Sequence, residues 1–199
     1  MSQEHYFSPD PSAPAKITEV DIEVGGQELR LSASTGTFSS ERLDPGTRVL
    51  LGLWERFPRE GLVLDIGCGW GPIGISIAKL SPAAEVIGVD VNQRSVELAN
   101  SNAKRNGIFN FKAVLDSELD VSIKVDHIWS NPPIRIGKSN LHKLLKTYLG
   151  MLKPTGEAYL VVQKQLGAES LQRWIAEHWP DREVSKVENS KGYRVIRVR

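Results

Sequence analysis

Cysteine is nearly absent from this chain. Cys68 is the one thiol among 199 residues, so no disulfide can form within the chain, and the four histidines, at 5, 127, 142 and 178, show no metal-ligand spacing. Neither a disulfide scaffold nor a metal centre is expected. Long hydrophobic runs are missing as well. Stretches such as "AYLVV" are far too short to cross a bilayer, and the opening "MSQEHYFSPD" has neither the basic nor the apolar region of a secretion signal. No membrane partner is expected, and the predicted location is cytoplasmic. Charge of one sign is not in excess either: 25 Lys and Arg stand against 24 Asp and Glu, a formal +1. No global field points to nucleic acid or lipid, so any basic surface has to be local. Repeats and low-complexity tracts do not occur.

What is present fits a globular chain with one sizeable core, at 40% hydrophobic and 25% charged residues. One domain over residues 1–199 is predicted. Residues 1–16, rich in proline, serine and charge, read as an irregular arm that only His5, Tyr6 and Phe7 could dock. Residues 17–60 read as a β-hairpin about Gly25 and Gly26, then a helix over "LDPGTRVLLGLWERF". Asp44 is its N-cap, Pro45 its first residue, and Val49, Leu50, Leu53, Trp54 and Phe57 its apolar face. Over residues 61–199, the strands "LVLDI", "EVIGVD", "FKAVL", "VDHIWS", "GEAYLVVQ", "REVSKVE" and "YRVIRVR" are interleaved with helical patterns. This predicts an α/β fold with a doubly wound, mostly parallel, seven-stranded sheet. Only "DSELDVSIK" separates the third and fourth of these strands, so one crossover helix is shortened or missing.

The stretch "LVLDIGCGWGPIGISIAKL" sets Gly67, Gly69 and Gly71 between a strand and its helix, where a nucleotide-like ligand can approach the backbone. Gly69, Gly71 and Gly74 match G-x-G-x-x-G, and Asp90 lies 21 residues after Gly69, so a nicotinamide enzyme is a rival reading. Asp65 argues against it, because a carboxylate at the strand tip repels a pyrophosphate. Pro72 adds to this by deleting an N–H that a phosphate could use. S-adenosylmethionine meets both objections, having no phosphate and carrying an ammonium and a sulfonium. Asp90, followed by Val91, is placed to accept both ribose hydroxyls, or to cap the helix after Asn92. Asp116 either accepts from an adenine amine or makes a turn.

In "DHIWSNPPIRIGKS" the two prolines stop a strand at Asn131 and stiffen the peptide beyond it. An exocyclic ring amine is a poor nucleophile because its lone pair is delocalised. The Asn131 side-chain oxygen and the Pro132 carbonyl can each accept one of its N–H groups, aiming the lone pair at a methyl donor while Pro133 keeps the acceptors rigid. Arg135, Lys138, His142, Lys143 and Lys146 come next as a basic cluster that could hold RNA phosphates, although a solvated helix face explains the helix lysines equally well. Leu141, Leu144, Leu145, Tyr148 and Leu149 are expected to bury the other face of that helix, and Trp174 to lie in the core.

With "DIGCGWG", "VIGVDVN" and "SNPPIRIGKS" in this order, the chain resembles class I S-adenosylmethionine-dependent methyltransferases, and Asn-Pro-Pro resembles their amino-group methylators. "HYFS", "TGTFSSERLDPGTRVLL", "VVQKQLGA" and "KGYRVIRV" extend the resemblance, over about residues 4–199, to the small methyltransferase domain family of the RsmC type. Members act on the exocyclic N2 of guanosine in ribosomal RNA. The resemblance implies a Rossmann-like fold with S-adenosyl-L-methionine as cofactor and ribosomal RNA or a ribosomal subunit as partner. It assigns Gly67, Gly69 and Gly71 to the methionine side, Asp90 to the ribose, Asp116 to the adenine, and Asn131 and Pro132 to the target amine. Phe38, Asp44 and Thr47 are implied to line the cofactor side. Where relatives carry an aromatic after the prolines, this chain has Ile134, so stacking on the target base must come from elsewhere, from Phe38 or Trp70. Thr37 stands where the family often has valine. Methylation of a protein glutamine, or a non-catalytic cofactor- or RNA-binding module, are the alternatives.

Overall fold

A computed structural model describes residues 16–199. The expected arm, with His5, Tyr6 and Phe7, lies outside them except for Lys16. The strands β1 (Ile17–Val24) and β2 (Gln27–Ser34) pair antiparallel. Gly25 and Gly26 join them at φ +55° and +73°, the left-handed pair that a tight hairpin turn needs to match strand twist.

Helix α1 (Pro45–Leu51) is shorter than its apolar spacing predicts. The chain leaves it at Gly52 and makes a 3-10 turn at Trp54–Arg56. Phe57 is the physical reason: its ring sits edge-on against Trp129, centroids 5.0 Å apart, and the chain must turn to deliver it, while Trp54 stays exposed.

The remaining elements are β3 (Glu60–Ile66), α2 (Pro72–Leu80), β4 (Ala83–Asp90), α3 (Gln93–Arg105), β5 (Phe111–Leu115), β6 (Val125–Ser130), α4 (Lys138–Leu149), β7 (Leu152–Gln163), α5 (Ala168–His178), β8 (Val184–Ser190) and β9 (Tyr193–Val198). Seven of the strands form one sheet in the order β5-β4-β3-β6-β7-β9-β8, parallel except where β9 runs against β7 and β8. Between β5 and β6 the crossover helix is reduced to one 3-10 turn, Asp116–Glu118.

Alternation along the strands builds two cores. Val63 and Trp129 face a layer made of the hairpin, α1, α2 and α3, whereas Leu64 and Ile128 face α4 and α5. Strand order reverses between β3 and β6, and ligands of open α/β sheets bind at the carboxyl ends of strands at such a reversal. Among the described residues no helix is long and apolar enough to cross a membrane, and no group of three His, Cys, Asp or Glu could hold a metal ion.

Asn102 of α3 fastens the hairpin to this frame. Its buried amide accepts from Ser32 N at 2.8 Å and donates to the carbonyls of Ser32 and Trp70, each at 2.9 Å, acting as a strand partner for β2. Asn102→Ala leaves those buried groups unpaired, so unfolding in denaturant is expected to show a loss of about 1–3 kcal/mol. A change within a few tenths would mean the hairpin docks by apolar packing alone.

Candidate active site

At the reversal point, the Ser130 hydroxyl at the end of β6 donates to the Ile66 carbonyl at the end of β3, 2.7 Å away and buried. The glycine turn after β3 and the Asn-Pro-Pro turn after β6 are thereby held side by side. The glycine turn leans on β4: Gly67 and Cys68 N–H donate to the Val89 carbonyl (2.8 and 3.0 Å), and Gly69 N–H donates to Asp90 Oδ2 (2.9 Å). Gly67, Gly69 and Gly71 have φ of +68°, +55° and +91°, which a side chain would strain. A Cβ at Gly69 would meet nothing within 4 Å, and one at Gly67 nothing nearer than Pro133 Cδ at 3.9 Å, so the space against this backbone is open. Gly74 serves packing instead. A Cβ there would come within 2.6 Å of the Phe111 ring.

Asp65 is fully buried. Its Oδ2 accepts from Gly74 N at 2.8 Å, while Oδ1 has no partner among the described residues. Burial, aided by the charge of Asp90, pushes its carboxyl up to about 7. A buried, unpaired carboxylate oxygen calls for a cation or a strong donor and opposes an anion. Asp90 is also raised by burial, and its two oxygens accept from Gly69 N and Asn92 N, each at 2.9 Å. Each oxygen keeps a lone pair for a ligand hydroxyl. The cap of α3 is Asn92, whose side chain accepts from Ser95 N, so Asp90 does not serve as the cap. Val91 is next in the chain, exposed. Asp116 opens the 3-10 turn after β5 and accepts from the Tyr148 hydroxyl through Oδ1. Burial and this bond raise the Tyr148 phenol well above its ordinary value, keeping it a donor.

The deciding geometry is at Asn131. Its Nδ2 donates to Asp44 Oδ2 at 2.8 Å and to Thr47 Oγ1 at 3.1 Å. With both amide protons committed, Oδ1 is left as the acceptor available to a ligand. Asp44 Oδ2 also accepts from Thr47 N at 3.0 Å, so one carboxylate caps α1 and orients Asn131. Thr47 is 3% exposed, and in this arrangement its hydroxyl holds the amide. The Pro132 carbonyl accepts from Ile134 N at 2.8 Å across Pro133, at φ −72° and ψ 77°, which makes an inverse γ-turn that sets the carbonyl direction and leaves it one lone pair. Ile134 is half-buried in the 3-10 turn Ile134–Ile136, while Arg135 and Lys138 are exposed.

Of the two rings considered for base stacking, Trp70 is 1% exposed and its indole N–H is tied to the Phe38 carbonyl at 3.0 Å, so it offers no free face. Phe38 is 40% exposed. A third ring at this edge belongs to the "KGYRVIRV" segment, where nothing local says that it reaches the site. Tyr193, at the start of β9, packs so closely on Gly46 that a Cβ there would come within 2.8 Å of its Cε1. Asp44 and Arg135 both act electrostatically on its phenol, which burial chiefly raises.

A sequence profile of the methyltransferase small domain matches residues 28–197. The chain belongs to this family. Family membership sets aside the nicotinamide reading. This small-domain methyltransferase is 37% identical over 199 residues to "Uncharacterized protein YbxB" of Bacillus subtilis (strain 168), covering 98% of each chain. It is 33% identical over 150 residues to "Ribosomal RNA small subunit methyltransferase C" of Vibrio vulnificus (strain CMCP6), covering 73% of this chain and 43% of that one. Among solved structures, "T. Thermophilus 16S rRNA N2 G1207 methyltransferase (RsmC) in complex with AdoMet and Guanosine" superposes with a TM-score of 0.79 at 25% identity, over 94% of this chain and 52% of that one. The small-domain methyltransferase thus spans about half the length of the RsmC relatives it matches.

Asp44→Ala removes the cap of α1 and one anchor of the Asn131 amide together. Thermal unfolding is expected to register about 0.5–2 kcal/mol of lost stability. The Asn131 side-chain N–H groups are expected to exchange with solvent faster than in the parent and to shift toward free-amide positions; unchanged exchange and shifts would show that Thr47 alone holds the amide.

Proposed function

We propose that this protein transfers a methyl group from S-adenosyl-L-methionine to the exocyclic N2 of a guanosine in small-subunit ribosomal RNA. The observation that carries this reading is the Asn131 amide, whose two N–H groups are taken by Asp44 and Thr47 so that Oδ1 faces a substrate only as an acceptor. The RsmC-named relatives, and the N2 target and bound guanosine named for the Thermus thermophilus structure, support the same substrate class. When bound, S-adenosylmethionine supplies an electrophilic methyl group on a sulfonium.

The chain's own residues do the rest. Asp65, buried beneath the glycine turn, acts through its negative field to favour the ammonium of the methionine moiety, Asp90 accepts the ribose hydroxyls, and Asp116, steadied by Tyr148, accepts from the adenine amine. Gly67 and Gly69 let the ligand lie against backbone, with Val91 beside it, whereas Gly71 is filled in by packing, since a Cβ there would come within 2.6 Å of Ile75 Cδ1. Asn131 Oδ1 and the remaining lone pair of the Pro132 carbonyl take the two N–H groups of the target amine, drawing its lone pair out of the ring's conjugation. Because both acceptors are fixed before the substrate arrives, little reorganisation is left for the transition state. Neither is a base, so the methylated nitrogen gives its proton to solvent. Phe38 and the ring of Tyr193 provide the aromatic surface that Ile134 does not.

Nucleoside analysis of RNA incubated with labelled donor is the primary test. Labelled N2-methylguanosine is expected; label in protein glutamine, or none in any acceptor, would overturn the reading. Asn131→Ala is expected to lower turnover by about a hundredfold to a thousandfold, with donor affinity by calorimetry almost unchanged. Equal losses in both would move Asn131 from the acceptor site to the donor site.

Donor affinity should also depend on pH. In the free protein Asp65 ionises only as pH passes about 7. An ammonium partner favours the ionised form, so binding at pH 6 releases a proton and affinity rises from pH 6 to 8. The same raised value means that the free protein loses stability as pH rises from the ordinary carboxylate value of 3.8 to about 7, with no further loss above that, because the unfolded chain ionises there while burial disfavours the charged carboxylate in the fold. Asp65→Asn is expected to flatten the affinity profile, and a profile that still rises would place the titrating group elsewhere.

A further inference from the structure

Helix α4 runs directly out of the turn that carries Ile134 and Arg135, and Lys138, His142 and Lys146 form a stripe along it with Lys143 alongside. No acidic residue occurs in the helix. Members of the stripe lie about 6 Å apart along the axis, so each cation can meet a different phosphate of one strand. None of the three lysines enters an ion pair among the described residues. The imidazole of His142 is held below its ordinary value by burial and then by Lys138, His178 and Lys146, as expected where cations crowd one face.

The opposing wall corrects an expectation from the sequence. Trp174 of α5, expected in the core, is only half-buried. Its ring stacks on His142 at 3.7 Å with 13° between planes, tilts against His178 at 4.4 Å, and has Lys146 Nζ 6.0 Å from its centre. Together Lys138, Ser139, His142, Lys143, Lys146 and Trp174 line an open groove of about 550 Å³.

We propose that this groove binds single-stranded RNA flanking the target nucleotide, with the lysines on its phosphates and a base stacked against the His142–Trp174 pair. Ammonium groups beside a flat ring fit the two parts of a nucleotide, sequence-tolerant stacking and backbone charge. Lys138, which lines the groove, follows the Ile134–Ile136 turn after a single glycine, so a strand held here can lead to the proposed acceptor site. A lipid surface would instead need exposed aliphatic side chains, and Leu141 and Leu145 of α4 point inward, buried. The proposal rests on RNA being the substrate.

Binding of a fluorescent RNA with a single-stranded flank, titrated between 50 and 200 mM salt, tests this without relying on transfer. Lys143→Gln/Lys146→Gln is expected to make the slope of log affinity against log salt shallower by about 1.4, two contacts at roughly 0.7 each. Trp174→Leu is expected to bind about tenfold more weakly, with Trp174→Phe restoring most of the affinity and donor binding unchanged throughout. Slopes and affinities equal to the parent's would overturn the proposal, as would association with ribosomal particles that survives ribonuclease, which points to an acidic protein in the groove. Parent protein that binds RNA with the full slope yet labels no guanosine supports this surface and sinks the chemistry assigned to Asn131.

Discussion

Everything at the site depends on β6 lying directly beside β3, both strands ending at the same edge. The Ser130 hydroxyl closes that junction on the Ile66 carbonyl, in a place where a lost bond could not be replaced by water. With the strand ends fixed, the glycine turn and the Asn-Pro-Pro turn have little freedom relative to one another. The proposed methyl transfer needs donor and acceptor aligned closely, and the relative placing of the two turns is a property of the sheet rather than of either loop.

Charge is sorted by depth. Asp65 and Asp90 lie beneath the glycine turn, where burial raises both and makes a cationic or hydroxyl-bearing ligand welcome. The lysines of α4 stand outside, exposed and in no ion pair among the described residues, where they cost nothing in desolvation. Such an arrangement separates a negative pocket beneath the glycine turn from a positive helix face, in a chain whose formal charge is only +1.

Much of this was legible in the order of residues. "FKAVL" and "VDHIWS" coincide with β5 and β6 to the residue, because short apolar runs bounded by turn formers admit few other readings. Asp44, Pro45 and the glycine turn were legible because caps and left-handed positions have local signatures. What could not be read is long-range. Nothing near Thr47 says that its hydroxyl will meet the amide of Asn131, 84 positions on, or that Tyr193 will fold back onto Gly46. The helix expected through Phe57 stopped early because Trp129, far along the chain, decided where that ring goes. Trp174 shares its helical face with Leu171 and Ile175, and periodicity cannot tell the centre of an apolar stripe from its rim.

The capping carboxylate of Asp44 has a second consequence. A seven-residue helix has almost no stability of its own and persists because Val49, Leu50 and Leu51 are buried. Fraying of its first turn would release the Asn131 side chain at once, while the sheet stayed whole. Warming would therefore free the Asn131 amide before the protein melts, by a local opening that costs far less free energy than global unfolding.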